Sequence, residues 1–168
     1  MYTSIKEFEQ DFEQESGNTQ KLLNALTDAS LTQAVAKDHR TIGRMAWHIV
    51  TTYPEMMGAT GLKINSVKHD APVPKTAAEI QKAYASVVKD LGDQIKANWN
   101  DATLEVVDNM YGAFQWKRAL TLQILIRHEI HHRAQMIVLM RQAGLSVPGV
   151  YGPSRDEWAG YGGKPPEV

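Results

Sequence analysis

The sequence predicts an all-α protein, a four-helix bundle with a long crossover connection between helices two and three. Three observations support this fold. Four stretches carry apolar residues at helical spacing, no convincing strand pattern interrupts them, and a polar segment from residue 61 to 75 separates the second stretch from the third. The 168-residue chain can bury a sizeable core without disulfides or metals, so we expect a single domain over residues 1–168.

The first predicted helix spans about residues 4–27. Ser4 and Glu7 have the spacing of a capping box, and a helical repeat of apolar residues follows them. Gly17 and Asn18 interrupt this repeat and are poor helix formers, so we expect them to kink the helix.

The second predicted helix begins near residue 41 and ends at Gly58 to Gly61, since glycine often closes a helix. Pro54 removes one backbone hydrogen bond and should bend or break its last turns. Pro72 and Pro74 then lie in a polar segment that is too long for a tight turn, which allows a crossover.

The third predicted helix starts at a second capping box, Thr76 with Glu79, and runs to about residue 98. Residues 99–115 are rich in turn formers and are predicted to be mostly loop, with a short β-branched run that favours an extended backbone. The fourth helix covers about residues 116–143 and is closed by Gly144, and a tail rich in glycine and proline begins at about residue 145.

The composition excludes several classes of function. A formal net charge of −1 leaves no surplus of positive charge for a row of phosphates, so nucleic-acid binding is disfavoured. The chain has no cysteine, so histidines and carboxylates must supply any metal ligands. No membrane-spanning apolar run and no secretory pattern at the N-terminus occur, so we expect a cytoplasmic protein that does not associate with membranes.

The residues best suited to chemistry are three histidines. His128 and His132 lie one turn apart on the fourth helix, so their imidazoles can converge on a metal ion. His48 lies at the edge of the apolar arc of the second helix and is the candidate third ligand, because bundles place metal sites between facing helices. The alternative is that these are core histidines held by hydrogen bonds, since such a pair of histidines also arises by chance.

Several other residues are candidates for positioning a ligand or contacting a substrate. Glu129 is interpreted first as a surface charge and second as a proton-transfer group, and Glu55 could orient a ligand or bind water. Arg44 could bind an anionic substrate group or simply be exposed, Gln135 shares the face of the histidine pair, and His131 should lie at its rim. Aromatic residues in the tail could form a pocket wall or pin the tail to the bundle; they are Tyr151 and Trp158.

The segments MAWHIV, HEIHHRAQM and RQAGLSVPGVYGPSRDEW together resemble the DinB-like (YfiT-like) superfamily, and the resemblance covers nearly the whole chain. It departs from the pattern at Ala134, where members usually have glycine. The resemblance implies a bundle with a crossover, frequent homodimers, and a site for nickel, zinc or iron formed by His48, His128 and His132. It also implies either transfer or isomerisation with a low-molecular-weight thiol, or metal-dependent hydrolysis, on a small-molecule substrate that the sequence does not identify.

Two functional classes therefore remain open: a metalloenzyme with an open coordination position, and a non-catalytic metal- or ligand-binding stress-response protein with the same ligands. A bundle without metal is a third possibility, in which the histidines would bond to carboxylates or backbone. A second apolar stripe on the fourth helix is consistent with a homodimer, although helix one could cover it equally well; the stripe consists of Ile126, Ile130 and Ile137.

Overall fold

The structure, a computed structural model, describes residues 1–167 and is dominated by four α-helices, as predicted. The helices are α1 (Ile5–Asn24), α2 (Ile42–Gly58), α3 (Ala77–Asn98) and α4 (Arg118–Gln142), and a hairpin is formed by β1 (Val107–Met110) and β2 (Phe114–Lys117). Short 3₁₀ helices occupy Asp28–Thr32, Asp101–Glu105 and Arg155–Tyr161. None of the helices in residues 1–167 combines the length and the apolar character needed to cross a membrane.

The long connection between α2 and α3 is a crossover, as predicted. It leaves α2 beside the C-terminal part of α3, where the backbone N–H of Lys63 donates to Gln94 at 3.3 Å. It then returns along the bundle to Ala71, whose carbonyl accepts from Trp47 Nε1 at 2.7 Å near the start of α2. Because the connection travels the length of the bundle before α3 begins, α2 and α3 are parallel neighbours.

The helices pack as a bundle in which α2 contacts α3 and α4, and α1 contacts the same two helices. The interface between α2 and α4 is the one that carries the candidate histidines. Helix α1 runs through Gly17 and Asn18 without interruption, and α2 continues through Pro54 to Gly58. Gly144 adopts a left-handed φ of 75° directly after α4, in agreement with its predicted capping role.

The prediction that residues 99–115 are mostly loop is wrong where β1 and β2 form a hairpin. Helix α4 begins two residues later than predicted. The strands pair antiparallel from Val107 with Lys117 to Met110 with Phe114. Tyr111 and Gly112 take left-handed φ values of 56° and 71° in the loop between them. Four-residue strands give too short an alternation to detect, and tyrosine is not a residue that signals a left-handed turn position.

The second apolar stripe of α4 is covered in part within the single chain. Ile126 is buried in the core, and Ile130 and Ile137 pack against that core while remaining partly exposed. The chain itself therefore buries Ile126 and covers Ile130 and Ile137 in part.

Candidate metal centre

Three imidazoles meet between α2 and α4. His48 projects from α2, and His128 and His132 project from α4, where their separation by one helical turn places them on one face. The ring centroids lie 4.4 Å apart for His128 and His132, 4.6 Å for His48 and His132, and 4.9 Å for His48 and His128. One ring nitrogen from each residue lies within 4.8 Å of the other two. The structure thus brings together the three histidines that the sequence singled out, in a cluster that could hold a metal ion.

The spacing of these nitrogens fits a metal ion. Two nitrogens bound to one tetrahedral metal at about 2.0–2.1 Å lie about 3.3 Å apart. The Nε2 atoms of His48 and His128 are separated by 3.2 Å, so little movement of these two rings would be needed to bind an ion. Within residues 1–167, the hydrogen bonds of these rings join His48 to His128 and His132 to Gln135. A core histidine without a metal would need a carboxylate or backbone partner, and none of the three rings has one in that range.

The surroundings keep the imidazoles neutral, which is the form that binds metals. Burial, followed by the positive charge of Arg40, lowers the pKa of His48 to about 4. Burial and the neighbouring His132 lower the pKa of His128 to about 4, and burial also lowers the pKa of His132. At neutral pH all three nitrogens therefore have a free lone pair available for a cation.

Gln135 supports the site from the next turn of α4. Its Oε1 lies 3.1 Å from Nδ1 of His132, and its Nε2 lies 2.9 Å from Nε2 of His131. An amide oxygen can only accept a hydrogen bond, so Nδ1 of His132 carries the proton and Nε2 is left free for a metal. Gln135 thus lies beside His132 on this face of α4, and His131 is exposed.

A cleft of about 560 Å³ opens between the end of α4 and the segment that precedes α2, and one of its lining residues, Gln135, contacts His132. Gln135 lines this cleft and bonds His132, which joins the cleft to the three imidazoles. Half of the lining is apolar, and these residues are Val35, Met45, Val138 and Leu139. The polar remainder consists of Asp38, His39, Arg40 and Gln135. The volume lies within the range of small-molecule sites.

The interpretation of Glu129 as a surface charge is wrong, because only 2% of this residue is exposed. Its carboxylate accepts hydrogen bonds from the hydroxyls of Thr19, Tyr53 and Tyr84, each at 2.6 Å. Burial nevertheless raises the pKa of Glu129, since the three hydroxyls only partly offset the loss of water. Glu129 faces the interior of the bundle, away from the cluster formed by its neighbour His128.

A second buried polar group lies one turn further along α4 and was not predicted. Arg133 is 1% exposed and binds the Glu15 carboxylate at 2.5 Å. The hydroxyl of Tyr151 bonds both members of this pair at 2.7 Å. A signal for it existed in the sequence, because Glu129 and Arg133 interleave with the isoleucines of the second apolar stripe and so share a buried face.

The remaining candidates lie outside the cluster. Glu55 and Arg44 are both exposed on α2. Burial and, after it, the charge of Glu55 raise the pKa of Tyr111. The charge of Arg44 is a minor cause of the lowered pKa of His48, after burial and Arg40. Tyr151 contacts the Arg133 and Glu15 pair, which fits a residue that pins the tail to the bundle. Trp158 is half-buried in the 3₁₀ helix of the tail.

Comparison with known proteins gives consistent results over nearly the whole length. The profile of the DinB family matches residues 1–167. The uncharacterized protein YrdA of Bacillus subtilis is 40% identical over 168 residues, which is the full length of both chains. The crystal structure of a DinB-like protein from Bacillus cereus superposes with a TM-score of 0.86 at 43% identity and covers 90% of this chain and 100% of that one.

A more distant structure shows how far the fold extends beyond sequence similarity. The DinB-like protein YjoA of Bacillus subtilis superposes with a TM-score of 0.66 at 16% identity, over 86% of this chain and 97% of that one. At this identity the likeness concerns the fold alone.

Proposed function

The chain belongs to the DinB family, and from this premise we propose that it is a metal-dependent enzyme that binds one divalent ion through His48, His128 and His132. The observation that carries the proposal is the convergence of three imidazole nitrogens within 4.8 Å of one another between α2 and α4. Imidazole ligands suit zinc, nickel and iron, which are the metals expected from the sequence.

The exposure of the cluster favours a catalytic site over a structural one. All three histidines are only half-buried, and Gln135 connects them to the adjoining cleft. Structural metal sites in proteins are closed by four protein ligands, whereas catalytic sites use three and leave one position for a substrate. Three histidines beside a cleft match the second arrangement.

The local chemistry favours transfer to a thiol over hydrolysis. Metal-dependent hydrolases commonly use a carboxylate near the metal as a general base. Within residues 1–167 the ligand cluster consists of histidines alone, and Glu129 is buried on another face of α4. A divalent metal supplies Lewis-acid chemistry and would lower the pKa of a thiol without help from a protein base. In the transfer, the thiol sulfur forms a bond to an electrophilic carbon, a leaving group departs with the bonding electron pair, and the thiol proton passes to solvent.

Metal analysis tests the binding site directly. The protein is purified without a histidine tag, dialysed against zinc or nickel, and compared with His128→Ala and with the control His69→Ala, which removes an exposed histidine from the connection before α3. We expect about one ion per chain in the wild type and in the control, and a loss of at least tenfold in affinity for His128→Ala. Equal metal content in all three proteins would defeat the assignment.

Turnover is tested with the metal-loaded protein and a panel of small thiols, each paired with a chlorinated aromatic electrophile. We expect the wild type to consume thiol and electrophile in equal amounts and to release chloride, and we expect His128→Ala to show only the uncatalysed rate. Bound metal without turnover across the panel would instead favour the non-catalytic metal-binding function.

A further inference from the structure

The cleft that Gln135 joins to the histidines contains the guanidinium of Arg40, which has no ion-pair partner among residues 1–167. Arg40 lies two residues before α2 and lines the cleft. Within residues 1–167 Arg118 pairs with Asp108 at 2.8 Å and Arg133 pairs with Glu15 at 2.5 Å, whereas Arg40 is one of several arginines without an ion pair. An unpaired guanidinium in a concave site is suited to a carboxylate or phosphate, which it can bind through two parallel hydrogen bonds.

Arg40 also lies near the candidate metal ligands. Its positive charge acts on each of the three imidazoles. The only acidic residue of the cleft lining is Asp38, and in the described part of the chain it is not among the main charges that act on any of the three. Arg40 is therefore the charged residue of the cleft lining that acts on the histidine site, although Asp38 lines the cleft as well.

The cleft also offers apolar surface beside Arg40, which is itself exposed to solvent. Met45 and Leu139 are 7% and 4% exposed and form the floor of the cleft, while Val35 and Val138 are 59% and 51% exposed and flank its opening. A molecule seated here would place a short apolar part against these side chains and a polar end toward Arg40. The volume of about 560 Å³ is enough for a metabolite of modest size.

We propose that the cleft takes a small organic anion and that Arg40 binds its carboxylate or phosphate group while another part of the molecule reaches the three-histidine site. This inference rests on the proposed metal site. Arg40 acts here as a specificity-determining residue, because it selects substrates by charge and has no part in bond making or breaking. A neutral analogue of the same size would fit the cleft but would leave the guanidinium without a partner.

The test uses protein loaded with cobalt(II), whose visible spectrum changes when a thiolate enters its coordination sphere. The probes are 3-mercaptopropionate and 3-mercaptopropionamide, which differ in charge but are closely matched in size. The variants are Arg40→Gln and the control Lys37→Gln, which removes a positive charge from the same connection outside the cleft lining. Dissociation constants from spectral titration are the measurement, so no catalytic turnover is needed.

We expect the wild type to bind the anionic thiol about tenfold more tightly than the amide, since a charge-assisted hydrogen bond has about that effect. Arg40→Gln should remove the preference without weakening the amide, and Lys37→Gln should keep it. A wild type without preference, a preference that survives in Arg40→Gln, or a cobalt site that binds neither thiol would each overturn the inference. Failure of the wild type to bind cobalt would overturn the proposed metal site instead, so the two failures are distinguishable.

Discussion

The amide oxygen of Gln135 accepts a hydrogen bond from Nδ1 of His132 at 3.1 Å and so fixes both the tautomer and the orientation of that imidazole. The same amide donates to His131 at 2.9 Å, which restrains its own rotation. Removing a residue that orients a metal-binding histidine typically weakens metal binding by about 10- to 100-fold.

We therefore predict that Gln135→Met weakens binding of zinc by about tenfold while leaving the fold intact, because the side chain keeps its size but loses the acceptor. The matched control is Gln142→Met, an exposed glutamine at the end of α4. Affinity is measured by competition with a chromophoric chelator. An unchanged dissociation constant for Gln135→Met would mean that His132 needs no orienting partner.

The histidine cluster predicts a pH dependence for the stability of the metal-free protein. Burial and nearby positive charge lower the pKa of His48 to about 4, and burial and His132 do the same for His128, whereas an unfolded histidine has a pKa of about 6.5. Between these values the unfolded chain binds more protons than the folded one. Stability is therefore complete above about pH 6.5 and is lost progressively as the pH falls toward 4.

This dependence is measured as the Tm of chelator-treated protein at about pH 7.5 and about pH 5. We expect the Tm of the wild type to fall by several degrees on acidification. The Tm of His128→Asn should fall clearly less, because one titrating group has been removed. His69→Asn, which alters an exposed histidine, should behave like the wild type. Identical losses in all three proteins would show that the cluster does not titrate in this range.

Much of the fold could be predicted because its signals are local. The capping box of Thr76 and Glu79 forms as expected, and Gly144 closes α4 with a left-handed φ. His48 could be placed with the other two histidines because helical periodicity shows which side chains point inward, and the sequence pattern of the family supplied the pairing of the helices.

The polar interior could not be predicted in the same way. The partners of Glu129 lie on three different helices, and Thr19 is 110 residues away in the sequence. A charged residue within an apolar stripe is ordinarily assigned to the surface because burying it without a partner is costly. Only the packing of all four helices shows that three hydroxyls supply that partner.

This hydroxyl cluster should be important for stability. Tyr84 is 1% exposed, and its hydroxyl donates to Glu129 at 2.6 Å, so Tyr84→Phe leaves a buried carboxylate with one donor fewer. We predict a loss of about 1–3 kcal/mol in the free energy of unfolding, measured by urea denaturation. Tyr161→Phe, at a tyrosine that is 74% exposed, is the control and should be neutral. Zinc affinity should not change in either variant, and a change in Tyr84→Phe would indicate coupling between the core and the histidines.

The buried pair of Arg133 and Glu15 allows a stricter test, because its two members can be removed separately and together. Among residues 1–167, Arg133→Met leaves the buried Glu15 carboxylate with the Tyr151 hydroxyl as its one side-chain donor, and we predict a loss of about 3–5 kcal/mol in the free energy of unfolding. Adding Glu15→Leu removes the stranded charge, so the double variant should be more stable than Arg133→Met alone.

The same variants also report on the tail, because the Tyr151 hydroxyl bonds both members of the pair and the Arg133 guanidinium lies 5.4 Å from the centre of the Tyr151 ring. Limited proteolysis should therefore cut the segment after residue 145 faster in both the single and the double variant than in the wild type. If the double variant were as unstable as the sum of its two single variants, the charges would act independently and the pair would not be the unit that joins α1, α4 and the tail.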